Sequence, residues 1–403
     1  MNILIVTDAL PFPPLNGKEL PIAGLFERIS KRHNTDLIVL SENNAAGKSV
    51  SELPSTINFI GSTTIKKINQ KKQAAKYLLT LKHTISSFNY SVADLKEVIG
   101  QREYDFIWVS PAHYYSFISF CYQHNFRFFK KAAIGLNDCK TYQFRDSINE
   151  LIYSRVFKWR YVTEWLRSFP LEKEERNFLS LADLVHVQTE NEAAKVKKVL
   201  GNTSKVKVVV AANGVKEELF NCNYSGVDSS MILFMTHLHG HRLKESEWFI
   251  KKIWPHVKSK LPDAKLFIVG TPQKAPIDYI DSDSSIIVHG YADDVHALYN
   301  SVKLAVVPTF HGTGLINRIL DALAAGVPVV STPQAIATFP GIKINEEIVA
   351  AKDVESFANA VVELYSNKTY RQSIAAKGKQ YAATQNTWNQ SAEAVEEAMT
   401  ALV

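Results

Sequence analysis

The stretch from Pro308 to Thr332 constrains the fold of this chain more than any other part of its sequence. An apolar strand that ends at Pro308 is followed by the glycine-bracketed turn Gly312-Thr-Gly314 and by a helix. A tight turn, Ala325-Gly-Val-Pro328, then leads into a second apolar strand. This succession is typical of a strand–helix–strand unit in a parallel sheet, with the glycine turn at the end of the first strand.

The same stretch predicts a nucleotide site. Gly312, Thr313 and Gly314 allow the backbone to approach a ligand closely at the start of a helix, where N–H groups and the helix dipole attract phosphate. Arg318 and Asp321 are one turn apart on that helix and share a face. A guanidinium suits a diphosphate, and a carboxylate suits the two hydroxyls of a ribose.

Length and periodicity predict two α/β domains. A chain of 403 residues is long enough for two hydrophobic cores. Short apolar strands alternate with amphipathic helices on both sides of the polar stretch 221–230, as in doubly wound parallel sheets. We predict a first domain over residues 1–222, a second over 223–380 and a C-terminal helix over 381–403.

Arg318, Asp321 and Gly326-Val-Pro-Val-Val330 resemble the nucleotide-sugar signature of the GT-B glycosyltransferases, in particular the retaining family 4, or group 1, type. The resemblance implies two Rossmann-like domains that face each other across a cleft, with the acceptor on the first and the donor on the second. It also implies that a helix starting near Trp388 crosses back to the first domain. Two positions depart from the pattern: Thr313 replaces a first glutamate found in many members, and Asp321 is a shorter acid.

The resemblance assigns further donor-site residues in the second domain. Arg318 neutralises the departing diphosphate, which gains negative charge in the transition state. A second cation is expected after the first strand of this domain, where the chain offers Arg242 and Lys244; ordinary surface cations are the alternative. The turn at Gly290 and Tyr291 would read the base edge through its backbone.

In the first domain, candidate residues follow the predicted strands at their carboxyl ends, where doubly wound sheets bind ligands. Gly17 is placed near the donor, with Asn16 and Lys18 at the acceptor, although a proline-rich loop without a ligand is the alternative. His113 would contact the donor sugar, as a histidine does in relatives, unless it is structural. Asp138 would take the acceptor's proton in an inverting reaction and orient the acceptor in a retaining one.

We expect neither a metal nor another cofactor, because no Asp-x-Asp motif stands in the required strand context. Three scattered cysteines, without metal or redox spacing, fit a cytoplasmic protein. Residues 66–82 contain six lysines and no acid, and aromatic and basic residues interleave at 126–131 and 156–161. These segments predict contact with the inner face of the cytoplasmic membrane; solvated helix faces are the alternative. The formal net charge is a mild +6, and no nucleic-acid partner is expected.

The predicted function is therefore sugar transfer from a UDP- or GDP-sugar to a glycan or lipid-linked acceptor, in cell-surface polysaccharide biosynthesis. A sugar-nucleotide epimerase shares this architecture and stays open. A catalytically degenerate subunit that binds a nucleotide or partner is a third possibility. It is supported by Thr313, which replaces the first glutamate, and by the poor match of the loop 237–244 to the family. A dinucleotide dehydrogenase is disfavoured, because no Gly-x-Gly-x-x-Gly follows the first strand, Ile3–Val6.

Overall fold

The structure is a computed structural model of the 403-residue chain. The residues that it describes are 1–14, 19–42, 49–67, 88–111, 115–145, 159–224, 228–236, 238, 241–270, 280, 283–292, 294–310 and 315–403. They divide into two compact units: residues 1–213 with 388–403, and residues 214–387.

The first unit contains a seven-stranded parallel sheet with the order β3-β2-β1-β6-β7-β8-β9. A short antiparallel pair, β4 and β5, lies apart from it. The strands of this unit are β1 Asn2–Thr7, β2 Asn34–Ser41, β3 Ile57–Thr64, β4 Lys66–Lys67, β5 Phe88–Asn89, β6 Tyr104–Val109, β7 Phe129–Gly135, β8 Leu184–Val187 and β9 Lys207–Val210. The helices are α1 Leu20–Ile29, α2 Val92–Ile99, α3 Tyr115–Gln123, α4 Lys140–Arg145, α5 Trp159–Leu179 and α6 Glu190–Leu200.

The central strands are buried on both faces because helices cover the sheet from two sides. In β1, Leu4 and Val6 belong to one apolar cluster, while Ile3 and Ile5 belong to the other. All four side chains are fully buried. This explains why β1 reads as a continuous apolar run rather than an alternating one.

The second unit contains a six-stranded parallel sheet with the order β12-β11-β10-β13-β14-β15. Its strands are β10 Met231–Met235, β11 Lys265–Val269, β12 Ile286–Gly290, β13 Leu304–Val307, β14 Val329–Ser331 and β15 Val349–Ala350. Its helices are α7 His241–Trp248, α8 Trp254–Lys260, α9 Val295–Ser301, α10 Asn317–Ala324, α11 Pro333–Ile336, α12 Val354–Ser366 and α13 Lys368–Gln385. The predicted α/β class, with one Rossmann-like sheet in each half of the chain, is confirmed.

The division between the units falls after Asn213 and after Thr387, whereas the sequence analysis placed it at 222 and 380. Hydrogen bonds explain the difference. Val215 forms a β-bridge with Thr387 and donates its amide to the Asn386 carbonyl at 3.1 Å. The Cys222 carbonyl accepts from Lys379 Nζ at 3.1 Å, which ties the segment before 222 to α13.

A last helix, α14 Trp388–Thr400, belongs to the first unit, where it packs on α1. Trp388 lies in the apolar cluster of that unit and is only 4% exposed. Its indole ring fills the space beside Gly24 on α1: an ideal Cβ at Gly24 would lie 2.3 Å from ring atoms. Glycine at position 24 therefore allows the indole to seat directly against the helix backbone.

Gly24→Ala is expected to destabilise the protein by about 1–3 kcal/mol, because the new methyl group overpacks the indole. In a Trp388→Leu background the same substitution should cost much less, since the ring that it meets is gone. Denaturant unfolding of the two single variants and the double variant measures this coupling. An equal cost of Gly24→Ala in both backgrounds would show that the indole does not occupy this position.

Candidate active site

Three buried threonines follow strands of the second sheet at the edge where ligands bind in open α/β folds. They are Thr236 after β10, Thr309 after β13 and Thr332 after β14. The Thr332 hydroxyl donates to the Thr309 carbonyl, so the ends of two neighbouring strands are joined. The Thr236 hydroxyl lies 3.2 Å from the Ser246 hydroxyl of α7. The carboxyl edge of this sheet is thus held together by side-chain hydrogen bonds.

Arg318 is directed to this edge by its contact with Thr309. The residue is in the first turn of α10 and is partly buried. Its Nη2 donates to the hydroxyl of Thr309, two residues after the end of β13. A guanidinium fixed at the carboxyl end of a central strand is suited to hold phosphate oxygens through several parallel N–H groups.

A buried carboxylate, Glu245 on α7, also holds the exit of β13. Its side chain is nearly inaccessible, and its Oε1 accepts the amide of Phe310 at 2.8 Å. Glu245 was not predicted as a site residue, because only the loop 236–244 before it was considered for cations. A signal existed: Glu245 stands three and four residues before Trp248 and Phe249, on the apolar face of the helix. An acid at such a position requires a partner inside the protein.

Asp321 lies one turn further along α10, and its surroundings disfavour charge. Its carboxylate is enclosed by protein although the residue keeps some accessible surface. Burial raises its pKa to about 7, and the nearby Lys216 opposes this only in part. Tyr299 of α9, fully buried, is close enough for the Asp321 charge to help raise the tyrosine pKa, after the larger effect of burial. Near neutral pH this carboxyl therefore exists both as an acid and as a carboxylate.

Gly290 ends β12, at the place where the sequence predicts a turn that reads the base edge. Gly290 has φ of +89°, which a residue with a side chain rarely adopts. Its carbonyl accepts the Gly270 amide at 2.7 Å, and Tyr291 beside it is 64% exposed. Glycine is thus needed here for the turn itself, and the tyrosine that follows it is exposed to solvent.

The other predicted residues of the site are only partly covered by the structure. Lys244 is exposed on α7. Arg242 is on the same helix, but the structure does not describe the Arg242 side chain. Asp138 is exposed just after β7 in the first unit. The residues that lie outside the described part of the chain are Asn16, Gly17, Lys18, His113, Gly312, Thr313 and Gly314.

Comparisons with known proteins bear on this arrangement. Residues 229–367 match the family model "Glycosyl transferases group 1". The matched region makes up most of the second unit, residues 214–387. It covers the strands and helices that carry Thr309, Arg318 and Asp321, and so contains the whole described edge of the second sheet.

Solved structures establish the fold of the full chain. HepE of Anabaena in complex with UDP superposes with a TM-score of 0.65 over 100% of both chains, at 13% sequence identity. TarM of S. aureus, in complex with Fondaparinux, alpha-GlcNAc-glycerol and UDP, gives 0.66 over 99% of this chain and 100% of its own, at 11% identity. Likeness at these identities shows the fold, and the chain has the GT-B fold.

A curated relative extends over almost the whole chain. It is an "Uncharacterized 44.6 kDa protein in cps region" of Klebsiella pneumoniae, 23% identical over 401 residues, which cover 93% of each protein. Among the described residues of the present chain, no helix combines the length and the apolar character needed to cross a membrane.

Asp321→Asn is expected to stabilise the protein at pH 8 by up to about 4 kcal/mol. The folded carboxyl titrates near 7 and the unfolded one near 3.8, so its contribution to stability is present at low pH and lost as pH rises through 7. The advantage of the asparagine variant should therefore fade towards pH 4. Urea unfolding at several pH values measures it, with the exposed Asp263→Asn as the matched control. A pH-independent difference would contradict the environment described for Asp321.

Proposed function

We propose that the protein transfers a sugar from a UDP- or GDP-sugar to a hydroxyl of a glycan or lipid-linked acceptor, with retention of the anomeric configuration. The observation that carries this proposal is that the group 1 domain, residues 229–367, includes the carboxyl edge where Thr309 fixes Arg318. The neighbours HepE and TarM are bound to UDP, which supports a nucleotide donor for a chain of the same fold.

The donor is held by the second unit in this proposal. Arg318, with the backbone amides of Gly312–Gly314, binds the diphosphate, and Lys244 or Arg242 supplies a second cation. Asp321 accepts hydrogen bonds from the ribose hydroxyls, and the turn at Gly290 meets the base. These groups neutralise charge that grows on the leaving diphosphate, so the reaction needs no metal ion.

Transfer exchanges one bond at the anomeric carbon for another. The bond from this carbon to the phosphate oxygen breaks, and a bond to the acceptor oxygen forms. In the retaining course the acceptor's proton passes to the departing phosphate oxygen, and the products are the nucleoside diphosphate and the glycoside. His113 contacts the donor sugar, while Gly17 lies near the donor and Asn16 and Lys18 lie near the acceptor. Asp138 orients the acceptor hydroxyl, because the phosphate already serves as the base.

Two features support an acceptor in surface polysaccharide synthesis. The Klebsiella pneumoniae relative is a protein of the cps region. The sequence has basic and aromatic segments, which suit a protein that visits the cytoplasmic face of an anionic membrane. On α5, Trp159 within the third segment and Phe169 beyond it are both exposed.

The proposal is tested by incubating the purified protein with UDP-, GDP- and dTDP-sugars and lipid-linked or oligosaccharide acceptors. We expect nucleotide release with one UDP- or GDP-sugar, equal rates with and without a chelator, and a product whose anomeric configuration matches the donor by NMR. Asp138→Asn should lower transfer to the acceptor at least about tenfold and leave slow donor hydrolysis unchanged, because it positions the acceptor only. The exposed Asp94→Asn is the matched control.

Three results would contradict the proposal in distinguishable ways. Interconversion of the sugar without an acceptor would indicate an epimerase. Nucleotide binding without any turnover would indicate a degenerate subunit. Inversion of configuration, with all transfer lost in Asp138→Asn, would make Asp138 the general base and exclude the retaining course.

A further inference from the structure

The chain passes from β7 into α4 through the short segment 136–139. The backbone amides of the last residue of this segment and of the next two residues donate to buried carboxylates. Glu175 of α5 accepts the Lys140 amide at its Oε1 and the Thr141 amide at its Oε2, each at 2.9 Å. Glu192 of α6 accepts the Cys139 amide at 3.1 Å. Glu175 is fully buried and Glu192 is 1% exposed, so both carboxylates form these hydrogen bonds inside the protein.

These carboxylates occupy the place of an external anion. The first amides of a helix at the end of a parallel strand ordinarily attract phosphate. Here two carboxylates from neighbouring helices satisfy three successive amides, and Lys195 balances Glu192 at 3.2 Å. Charge-assisted hydrogen bonds of this kind are strong, and breaking one leaves a buried charge without its donor.

The opposite side of the segment is held by side-chain amides. Gln188 donates from Nε2 to Asn137 Oδ1 at 3.3 Å, and Asn213 donates from Nδ2 to Gln188 Oε1 at 3.3 Å. Asp138 is thus flanked by two fixed neighbours, Asn137 and Cys139, while its own side chain is exposed. An exposed carboxylate on a segment that is fixed on both sides is suited to hold one bound ligand group in a defined position.

We infer that Glu175 and Glu192 are positioning residues, which hold the 137–139 segment so that Asp138 meets an uncharged acceptor hydroxyl. This inference rests on the proposed function, because it concerns the acceptor step of the same reaction. It also implies that the donor phosphate does not bind to this segment, because the backbone amides there already donate to the protein's own carboxylates. Glu175 and Glu192 touch neither substrate.

Cys139 provides a readout that does not depend on activity. Its thiol is 1% exposed and lies 3.5 Å from Glu175 Oε2. Burial, with the Glu175 charge, raises the pKa of the thiol well above its usual range, so the native thiol resists alkylation. Cys121 of α3 is fully buried as well, and it reports general unfolding of the same unit.

The test compares E175Q and E192Q with E190Q, which changes an exposed acid in the first turn of α6. Alkylation by iodoacetamide is located by peptide mass spectrometry, and transfer is measured over acceptor and donor concentrations. In E175Q and E192Q we expect Cys139 labelling to rise at least about tenfold over that of Cys121. The acceptor kcat/KM should fall at least about tenfold, with donor hydrolysis and the donor KM unchanged. E190Q should behave as wild type.

Each other outcome decides against the inference or separates it from the proposed function. Unchanged labelling of Cys139, or selective labelling with an unchanged acceptor kcat/KM, overturns it. An equal loss of donor hydrolysis overturns it too, because the segment would then serve the donor. If E175Q does not fold, E192Q, which removes the charge from the partner of one amide only, carries the test. If the wild type transfers no sugar, the proposed function fails, and Cys139 labelling in E192Q decides whether the glutamates hold the segment, because Glu192 binds the Cys139 amide rather than its thiol.

Discussion

The contact between Arg318 and Thr309 is the interaction on which the functional account depends. It joins the first turn of α10 to the end of a central strand, and so fixes where a cation lies at the carboxyl edge of the second sheet. Thr332 fixes Thr309 in turn through the neighbouring strand. A guanidinium held in advance in this way stabilises developing charge without reorganising when the reaction occurs.

Both units use buried carboxylates to shape the chain where it leaves a strand. Glu245 binds the Phe310 amide after β13, and Glu175 and Glu192 bind three amides after β7. Each of these acids comes from a helix other than the one that follows the strand, so each couples the packing of a helix to the geometry of a loop. A buried charge with backbone donors has one favourable geometry, which fixes the amides that it binds.

The sequence predicted the elements that depend on local pattern. In the unit from Pro308 to Thr332, both strands and the helix between them are confirmed, because proline and apolar runs specify these elements locally, while the predicted turn at 312–314 lies outside the described residues. The long helix α5 was not predicted, since it carries Pro170 and several exposed apolar residues that obscure its periodicity. The amide partners of Glu175 were not predictable either: they are 34 and 35 residues away, and only tertiary packing brings them together.

The central claim, that Arg318 grips the donor diphosphate, is tested most directly by calorimetric titration of UDP and GDP into the wild type, Arg318→Lys and Arg318→Ala. The account predicts that Arg318→Ala weakens the preferred nucleotide at least about tenfold and that lysine restores part of the loss, since it keeps the charge without the planar fork. The exposed Lys352→Ala in the same unit should bind as wild type. Equal affinity of the wild type and Arg318→Ala would contradict the account.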